Sequence, residues 1–452
     1  MRTDCNSQSI TFTPCQRQQL LARFDGGKIT SDAGALLLRE VAHKSRLFGR
    51  MAAAIPDPRD PDLIEHEQQT MLAQRVLGIA CGWEDLNDHH GLRIDPLMQV
   101  ASEREVDQDR PLASPATLCR LENRISRASC VKLSELLVEL FIESFDSPPK
   151  ELILDFDATD DPIHGDQEGR FFHGYYDNYC YLPLYVFCGD KLLVCYLRPS
   201  NIDAARHSRA ILKLLVDRLR QAWPGVKIIF RGDSGFCRWK LMRWCDRHQV
   251  DYVIGLARNK RLEKMTEPAM LLAKQQYEHS GQDQRLFTEL SYAAGSWDRE
   301  RRVIHKAEHN RHGDNPRYIV TSLSEDPKLL YDQRYCARGE MENRIKEQQL
   351  GLFAGRTSCH HFIANQFRLL LSSFAYTLIQ TLRSTALAGT ELANAQAGTI
   401  RNKLLKIGAV VTTSVRRIVL QLSSAYPLKE LFQEIVQRLI ALPGIMSPVQ
   451  LK

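Results

Sequence analysis

Two aspartates stand where their carboxylates could act together. Asp157 closes the apolar stretch LILDFD, and Asp233 closes KIIFRGD, 76 positions later (233 − 157). Both stretches have the character of buried strands, and functional groups often gather where such strands end. Carboxylates held close together repel each other unless a proton or a cation lies between them. Because Mg²⁺ and Mn²⁺ prefer oxygen ligands of this kind, the two aspartates predict a divalent metal site.

A third carboxylate, Glu342, lies in the segment YCARGEMENRIKEQQL. On a helix this segment has one polar face, made of Tyr335, Arg338, Glu342, Lys346 and Gln349. Beside it runs an apolar stripe of Ala337, Met341, Ile345 and Leu352. Glu340 lies about 200° around the helix from Glu342 and cannot share its role. For this helix alone, a solvated face with ion pairs one turn apart stays open as an alternative. Together the three carboxylates predict two metal ions roughly 4 Å apart, an arrangement that acts on phosphodiesters.

The elements that position these residues follow an α/β order. ELILDFDAT reads as a strand, YLPLYVFCGDKLLVCYLRP as a hairpin, and residues 203–223 as a helix. The strand VKIIF, the helix RWKLMRWCDRHQV and the strand DYVIGLA come next. A hairpin followed by such crossover units predicts a mixed sheet covered by helices.

The regions on either side differ in pattern. Amphipathic stretches predict a mostly helical region 1–148, and the break Asp146-Ser147-Pro148-Pro149 separates it from the first part of the core, 149–258. Residues 259–327 are polar, with strands at RLFTELSYAA, DRERRVIHKA and PRYIVTSL, and we expect an inserted β-rich element rather than more of the sheet. Residues 328–380 then carry the glutamate helix, and 381–452 form a basic helical region.

Bulk properties place the chain among ordinary globular proteins. It has 452 residues, of which 44% are hydrophobic and 25% are charged, enough for two or three domains. No apolar run reaches the roughly 18 residues that span a bilayer, so we expect a cytoplasmic protein without a membrane partner. The 12 cysteines form no C-x-x-C pair, and Cys359-His360-His361 lacks the second ligand pair of a structural zinc site. We interpret His164, His360 and His361 as polar packing or DNA-edge residues.

Several motifs together resemble DDE transposases of the insertion-sequence-1380 group, which have a ribonuclease-H-like catalytic core. The resemblance spans nearly the whole chain and rests on FDGGKITSDAGALLLRE, QRVLGIACGWEDLNDHHGLRIDP, LASPATLCRLENR, LILDFDATDDPIHGDQEG, FRGDSGF, YCARGEMENRIKE and TIRNKLLKIGAVV. It implies a ribonuclease-H-like mixed sheet within a multi-domain α+β chain. It further implies a β-rich insertion, a helical N-terminal region that binds DNA ends, and a helical C-terminal region.

The resemblance also implies roles for particular residues. Asp157, Asp233 and Glu342 match the catalytic, metal-binding acids, and Tyr335 and Arg338 match the Tyr and Arg of the signature Tyr-x2-Arg-x3-Glu-x6-Lys. The expected lysine is replaced by Gln349, and Lys346, one turn nearer, is a substitute. The implied enzyme holds two Mg²⁺ or Mn²⁺ ions, cuts at terminal inverted repeats and joins the 3′ ends to target DNA. It is expected to act as a homodimer or larger assembly on DNA, in association with a bacterial nucleoid.

Two further features concern DNA binding. Residues 351–427 contain eight Lys or Arg against one acid, and this bias suits contact with a polyanion. The candidate contacts are Arg401, Lys403, Lys406, Arg416 and Arg417, although basic solvated edges of a helical core explain them equally well. Trp297, within the expected β-rich element, could stack on a flipped base, or it could pack in a turn.

Three alternatives compete with an active transposase. The motif LILDFDAT matches the D-x-D-x-T of haloacid-dehalogenase-type phosphatases, with Asp155 as nucleophile and Asp157 as acid, but GDSGFCRW supplies no later acid. Asp155 shares a strand face with Asp157 and could reach the metal under either interpretation. A transposase-derived DNA-binding protein without activity is favoured only by Gln349. A ribonuclease-H-like nuclease without strand transfer is the third alternative.

Overall fold

The chain divides into two compact units. The computed structural model describes residues 9–106 and 109–442. One unit is formed by Met1–Arg124 together with Leu378–Lys452, and the other is the continuous segment Ile125–Thr377. Among the helices described, none combines the length and apolarity that a membrane span requires.

Runs of strands and runs of helices follow one another along the chain. The strands are β1 (Ile10–Cys15), β2 (Gln18–Ala22), β3 (Ile29–Thr30), β4 (Glu151–Ala158), β5 (Asp161–Pro162), β6 (Phe171–His173), β7 (Asn178–Tyr181), β8 (Leu184–Cys188), β9 (Lys191–Tyr196), β10 (Lys227–Gly232), β11 (Asp251–Leu256), β12 (Gln284–Tyr292), β13 (Arg301–Asn310), β14 (Gly313–Asp314), β15 (Arg317–Thr321), β16 (Ala409–Ser414) and β17 (Arg417–Leu422). The α-helices are α1 (Ala35–Ser45), α2 (Leu47–Ala53), α3 (Gln68–Ala80), α4 (His89–Leu92), α5 (Pro96–Ala101), α6 (Pro115–Asn123), α7 (Arg127–Glu143), α8 (Ser208–Ala222), α9 (Trp239–Arg247), α10 (Lys260–Ser280), α11 (Pro327–Leu329), α12 (Gly339–Lys346), α13 (Phe362–Thr385), α14 (Ala397–Ile400) and α15 (Lys429–Ala441).

A mixed sheet forms the centre of the second unit. Its strand order is β12-β13-β15-β11-β10-β4-β8-β9, with β14 paired to β13 at one side. Strands β4, β10 and β11 run parallel, whereas β8 and β9 form an antiparallel hairpin beside β4. Helix α8 connects β9 to β10 and α9 connects β10 to β11. This order confirms the predicted mixed α/β core.

The two faces of this sheet have different tasks. On β4, Leu152, Leu154 and Phe156 alternate with Ile153, Asp155 and Asp157, so the two sets point to opposite faces. The first set is buried in the main core, where the Phe156 and Phe230 rings lie 4.7 Å apart. The opposite face is apolar at the start of the strand and acidic at its end. The strand therefore packs through one face and presents carboxylates on the other.

The expectation of a separate β-rich element is wrong. The predicted strands exist as β12, β13 and β15, but they extend the central sheet because β15 pairs antiparallel with β11. The segment also begins with α10, which packs against β12 and β13 and was not predicted. Only Leu262, Thr266 and Ala273 of this helix are buried, so its apolar stripe is too thin to be recognised.

Two smaller β elements also depart from the sequence patterns. In the chain segment that connects β4 to β8, strands β5, β6 and β7 form a separate three-stranded sheet, where no strand was predicted. In the other unit, β16 and β17 form a hairpin that pairs with β3, although a helical C-terminal region was expected. Residues 443–452 of that expected region lie outside the described residues. Within residues 9–124, a buried ion pair joins helices α3 and α6, with Arg75 Nε 2.9 Å from Glu122 Oε1.

Candidate active site

Strand register places the two aspartates side by side. In the parallel pairing of β4 with β10, Asp155 lies opposite Arg231 and Phe156 opposite Gly232. Asp157 lies two positions after Asp155, and Asp233 lies two positions after Arg231. The two aspartates therefore end neighbouring strands on the same face of the sheet. Both carboxylates are half-buried, and the charge of Asp233 acts on Asp157. Residues 76 positions apart thus meet through sheet pairing alone.

A tight turn after β10 holds Asp233. Its Oδ1 accepts a hydrogen bond of 2.9 Å from the backbone N–H of Gly235. The neighbouring strand contributes Gly255, where a Cβ would lie 2.5 Å from the Tyr335 hydroxyl and 2.8 Å from the Ser234 nitrogen. Such distances are too short for any side chain. The absence of a side chain at Gly255 therefore lets the Asp233 turn and Tyr335 approach each other.

The third carboxylate arrives on an irregular helical segment. After α11 the chain forms π-helical turns over Leu330–Tyr335 and a 3₁₀ turn over Cys336–Arg338, before α12 and further π-helical turns over Glu347–Gly351. The single regular helix expected here is therefore interrupted, and π-helical turns of this kind are frequent at functional sites. Leu330 and Tyr331 pack on Ile229 and Val253 of the sheet. As predicted, Met341, Ile345 and Leu352 are buried, whereas Ala337 of the same stripe is only partly buried.

Arg338 joins the helical segment to the strand ends. Its Nη1 donates to Asp157 Oδ2 at 3.3 Å, and its Nη2 donates to Glu342 Oε1 at 2.6 Å. The guanidinium also interacts electrostatically with Asp233, so one cation faces all three carboxylates. The Glu342 side chain is 44% exposed and stays open to solvent. Glu340 is exposed on another face, as its position on the helix predicts.

The surroundings of Asp157 favour its protonated form. The pKa of Asp157 is raised to about 7, mainly by burial and in part by the charges of Asp233 and Glu342. Arg338 and the Ala158 N–H oppose this shift. A divalent cation would compete with the proton for this oxygen site, since metal ligands must be deprotonated. The all-oxygen donor set of these three acids fits Mg²⁺ or Mn²⁺.

Asp155 is unable to take the roles that sequence reasoning left open for it. Both of its oxygens are bound by the Arg231 guanidinium, Oδ2 by Nη2 at 2.6 Å and Oδ1 by Nε. Its side chain is 2% exposed. A carboxylate engaged in this way is neither a nucleophile nor a further metal ligand. Arg231 also donates to the Arg334 carbonyl, so the pair ties both strands to the helical segment.

Gln349, which stands where the family signature has a lysine, stabilises the fold through hydrogen bonds. Gln349 Nε2 donates to Asp161 Oδ1 at 3.0 Å and to the Asp160 carbonyl at 3.1 Å. Asp161 is fully buried on β5, and burial raises its pKa to about 7. Gln349 therefore fastens the end of the glutamate segment to the chain just beyond β4. Lys346 is exposed on α12.

The remaining predicted residues fall into two groups. Arg401 donates to the carbonyls of Ile79 and Ala80, and Lys406 forms a 2.6 Å ion pair with buried Asp32, so both support the fold. The exposed group is Lys403 with Arg416 and Arg417, the last two around the turn between β16 and β17. Trp297 is half-buried and lies edge-on to Tyr292, with Arg301 over its ring.

Sequence reasoning missed Arg231, Asp161 and Gly255. The available signal was a charged or small residue inside a buried strand, as in IIFRGD and VIGLA. An arginine within an apolar run needs a buried acid as partner, because an isolated buried charge is very costly. The nearest candidate was Asp155, at the equivalent place in LILDFD.

Two aspartates from adjacent strand ends and one glutamate from a helix thus face the same guanidinium, that of Arg338. The chain belongs to the protein family described as Transposase DDE domain group 1, whose model matches residues 12–444. A comparison with curated proteins found no match. Among solved structures, the chain is similar to one described as a cryo-EM structure of a piggyBac transposase synaptic complex with hairpin DNA. That likeness has 11% sequence identity, covers 88% of this chain and 82% of that chain, and has a TM-score of 0.42.

Proposed function

We propose that this chain is an insertion-sequence transposase of the 1380 group that cuts and joins DNA. The observation that carries the proposal is the convergence of Asp157, Asp233 and Glu342 around one guanidinium. The single guanidinium balances only one of the three carboxylate charges, so their arrangement favours binding of further cations. The substrate is DNA with terminal inverted repeats, and the products are 3′ ends joined to target DNA.

Each residue of the site has a distinct task in this reaction. Asp157, Asp233 and Glu342 would hold two Mg²⁺ or Mn²⁺ ions, which supply an activated water or hydroxyl and stabilise the leaving oxygen. Arg338 is positioned to bind a phosphate oxygen once the carboxylates have another cation, since guanidinium and phosphate pair well. Tyr335, beside the Asp233 turn, orients the same phosphate through its hydroxyl. Lys346, exposed one turn beyond Glu342, supplies a further cation for the DNA strand.

DNA binding away from the acids involves the other unit. The helical N-terminal region is proposed to bind the DNA ends of the element. The exposed side chains of Lys403, Arg416 and Arg417 are proposed to contact DNA phosphates. Pairing two DNA ends for joining requires two copies of the site, so the active form is a homodimer or a larger assembly. Trp297 is assigned to turn packing because its ring contacts Tyr292 and Arg301.

The deciding experiment is nicking of DNA that carries the element's own ends. Asp157→Asn, Asp233→Asn and Glu342→Gln are each expected to abolish Mg²⁺-dependent nicking while DNA binding is retained. Glu340→Gln is the matched control, because Glu340 is an exposed acid on the same helix and should cut at the wild-type rate. Equal cutting by wild type and the three variants would refute the site. Nicking without joined products would instead indicate a nuclease, and binding without nicking an inactive DNA-binding protein.

A further inference from the structure

A second cluster of ligand-type side chains lies outside the acidic site. Glu168, in the loop between β5 and β6, meets His360 and His361, which directly precede α13. One potential ligand atom from each of the three lies within 4.8 Å of the others. Glu168 and the two histidines are more than 190 positions apart, so the sequence pattern Cys359-His360-His361 gave no sign of the carboxylate.

The backbone fixes this cluster before any cation binds. The Glu168 N–H donates to the His360 carbonyl at 2.9 Å, and Glu168 Oε2 accepts from the Phe362 N–H at 3.0 Å. The Tyr181 hydroxyl donates to the Glu168 carbonyl at 2.6 Å, and its ring packs edge-on to Phe362. The loop and the start of α13 are thereby held in register, and only side-chain rotation is needed to bring the three ligands onto one centre.

His360 already has the orientation of a metal ligand. Its Nδ1 lies 2.8 Å from the Asp166 carbonyl, which can only accept, so the neutral ring carries its proton on Nδ1. The lone pair of Nε2 is then directed elsewhere. A backbone carbonyl that orients the second ring nitrogen is the usual support of a metal-binding histidine. This contact separates His360 from an ordinary surface histidine.

His361 and Glu168 form a hydrogen bond where a cation would bind. His361 Nδ1 lies 3.1 Å from Glu168 Oε1. In a tetrahedral site with bonds of about 2.1 Å, ligand atoms lie roughly 3.4 Å apart, close to this separation. A cation bound at Nδ1 would replace this hydrogen bond, and the neutral ring would carry its proton on Nε2. Both side chains are about half exposed, so the rotations required are fast and meet no packing.

We propose that Glu168, His360 and His361 bind a zinc-class divalent cation. Two imidazoles and one carboxylate match Zn²⁺ and not Mg²⁺, which selects oxygen ligands. The remaining coordination positions face solvent. Bound cation would fasten the loop after β5 to the start of α13, independently of the chemistry proposed for Asp157, Asp233 and Glu342.

The test is a zinc titration of the full chain in excess Mg²⁺, which occupies all-carboxylate sites and leaves imidazole sites vacant. We expect one zinc equivalent whose affinity falls about 10- to 100-fold in His360→Ala, His361→Ala and Glu168→Gln. His164→Ala removes an exposed histidine from the same loop and is expected to bind as wild type. Cys359→Ser controls for the neighbouring thiol.

Folding of the variants is checked by their metal-free unfolding temperatures. Glu168→Gln keeps an oxygen to accept from the Phe362 N–H, so its fold is expected to be preserved. Zinc should raise the unfolding temperature of wild type and His164→Ala but not of the three ligand variants. Equal zinc affinity in wild type and the ligand variants would overturn the proposal, as would wild type that binds no zinc.

Discussion

The buried pair of Asp155 and Arg231 allows a quantitative prediction. In Arg231→Met the chain keeps similar side-chain length at this position but loses the cation that binds both oxygens of Asp155. The two side chains are 2% and 8% exposed, so solvent cannot replace the lost partner. Breaking such a pair from one side costs about 3–5 kcal/mol of unfolding free energy. The contact with the Arg334 carbonyl is lost as well.

The cost should depend on pH in a known direction. Burial raises the pKa of Asp155 while Arg231 lowers it, so removal of Arg231 raises the pKa further. A carboxyl whose pKa is higher in the folded than in the unfolded chain binds more protons when folded. Stability then falls as pH rises above the unfolded value of about 3.9. The deficit of Arg231→Met should therefore be larger at pH 7.5 than at pH 5.

Urea unfolding followed by tryptophan fluorescence measures both effects. Four of the five tryptophans lie in Ile125–Thr377, so the signal reports mainly on the unit that contains the pair. Asp155→Asn alone and the double variant complete the cycle, and the double variant should cost less than the two single losses combined. A loss below about 1 kcal/mol in Arg231→Met, or strictly additive single losses, would refute the assigned energetics.

Three other outcomes follow from the site geometry. Gly255→Ala should lower the nicking rate about 100-fold with the fold intact, because its Cβ would displace Tyr335. Gly174→Ala is the control: a Cβ at Gly174 meets no other atom within 4 Å, so this variant should cut at the wild-type rate. Mg²⁺ affinity, measured by titration, should weaken about tenfold per pH unit below 7 and level off above it, since the proton on Asp157 competes with the cation. In Gln349→Lys the ammonium should lower the pKa of buried Asp161. The variant should therefore unfold at a higher temperature than wild type, mainly above pH 7. The same difference in unfolding temperature at pH 5 and pH 8 would contradict this.

The sheet was predictable where local pattern determines it. LILDFD, KIIF and DYVIGL are continuous apolar runs bounded by turns, and they became the parallel strands β4, β10 and β11. Strands β12, β13 and β15 were also predicted, but their membership of the central sheet was not. Whether a hairpin extends an existing sheet depends on the pairing of β15 with β11, and periodicity within either strand carries no information about this.

The candidate site shows the same division. The residue types of Asp157, Asp233 and Glu342 were visible, and the structure brings them around Arg338, while their catalytic role stays a prediction. The π-helical and 3₁₀ turns before α12 were not foreseeable, because the 3.6-residue period fits the segment well. The partners of Asp155 and Gln349 were also missed, since contacts across 76 and 188 positions depend on tertiary structure.

The order of these elements along the chain has a consequence during protein synthesis. Glu342 follows Asp233 by 109 positions (342 − 233), after α10 and all the strands β12–β15. At about 5–20 residues per second, a ribosome needs roughly 5–20 seconds to add them. Throughout that interval the growing chain contains both aspartates but no third ligand and no Arg338. Under the proposed function, a nascent chain would therefore lack cutting activity until the segment that carries Arg338 and Glu342 has been added and has folded onto the sheet.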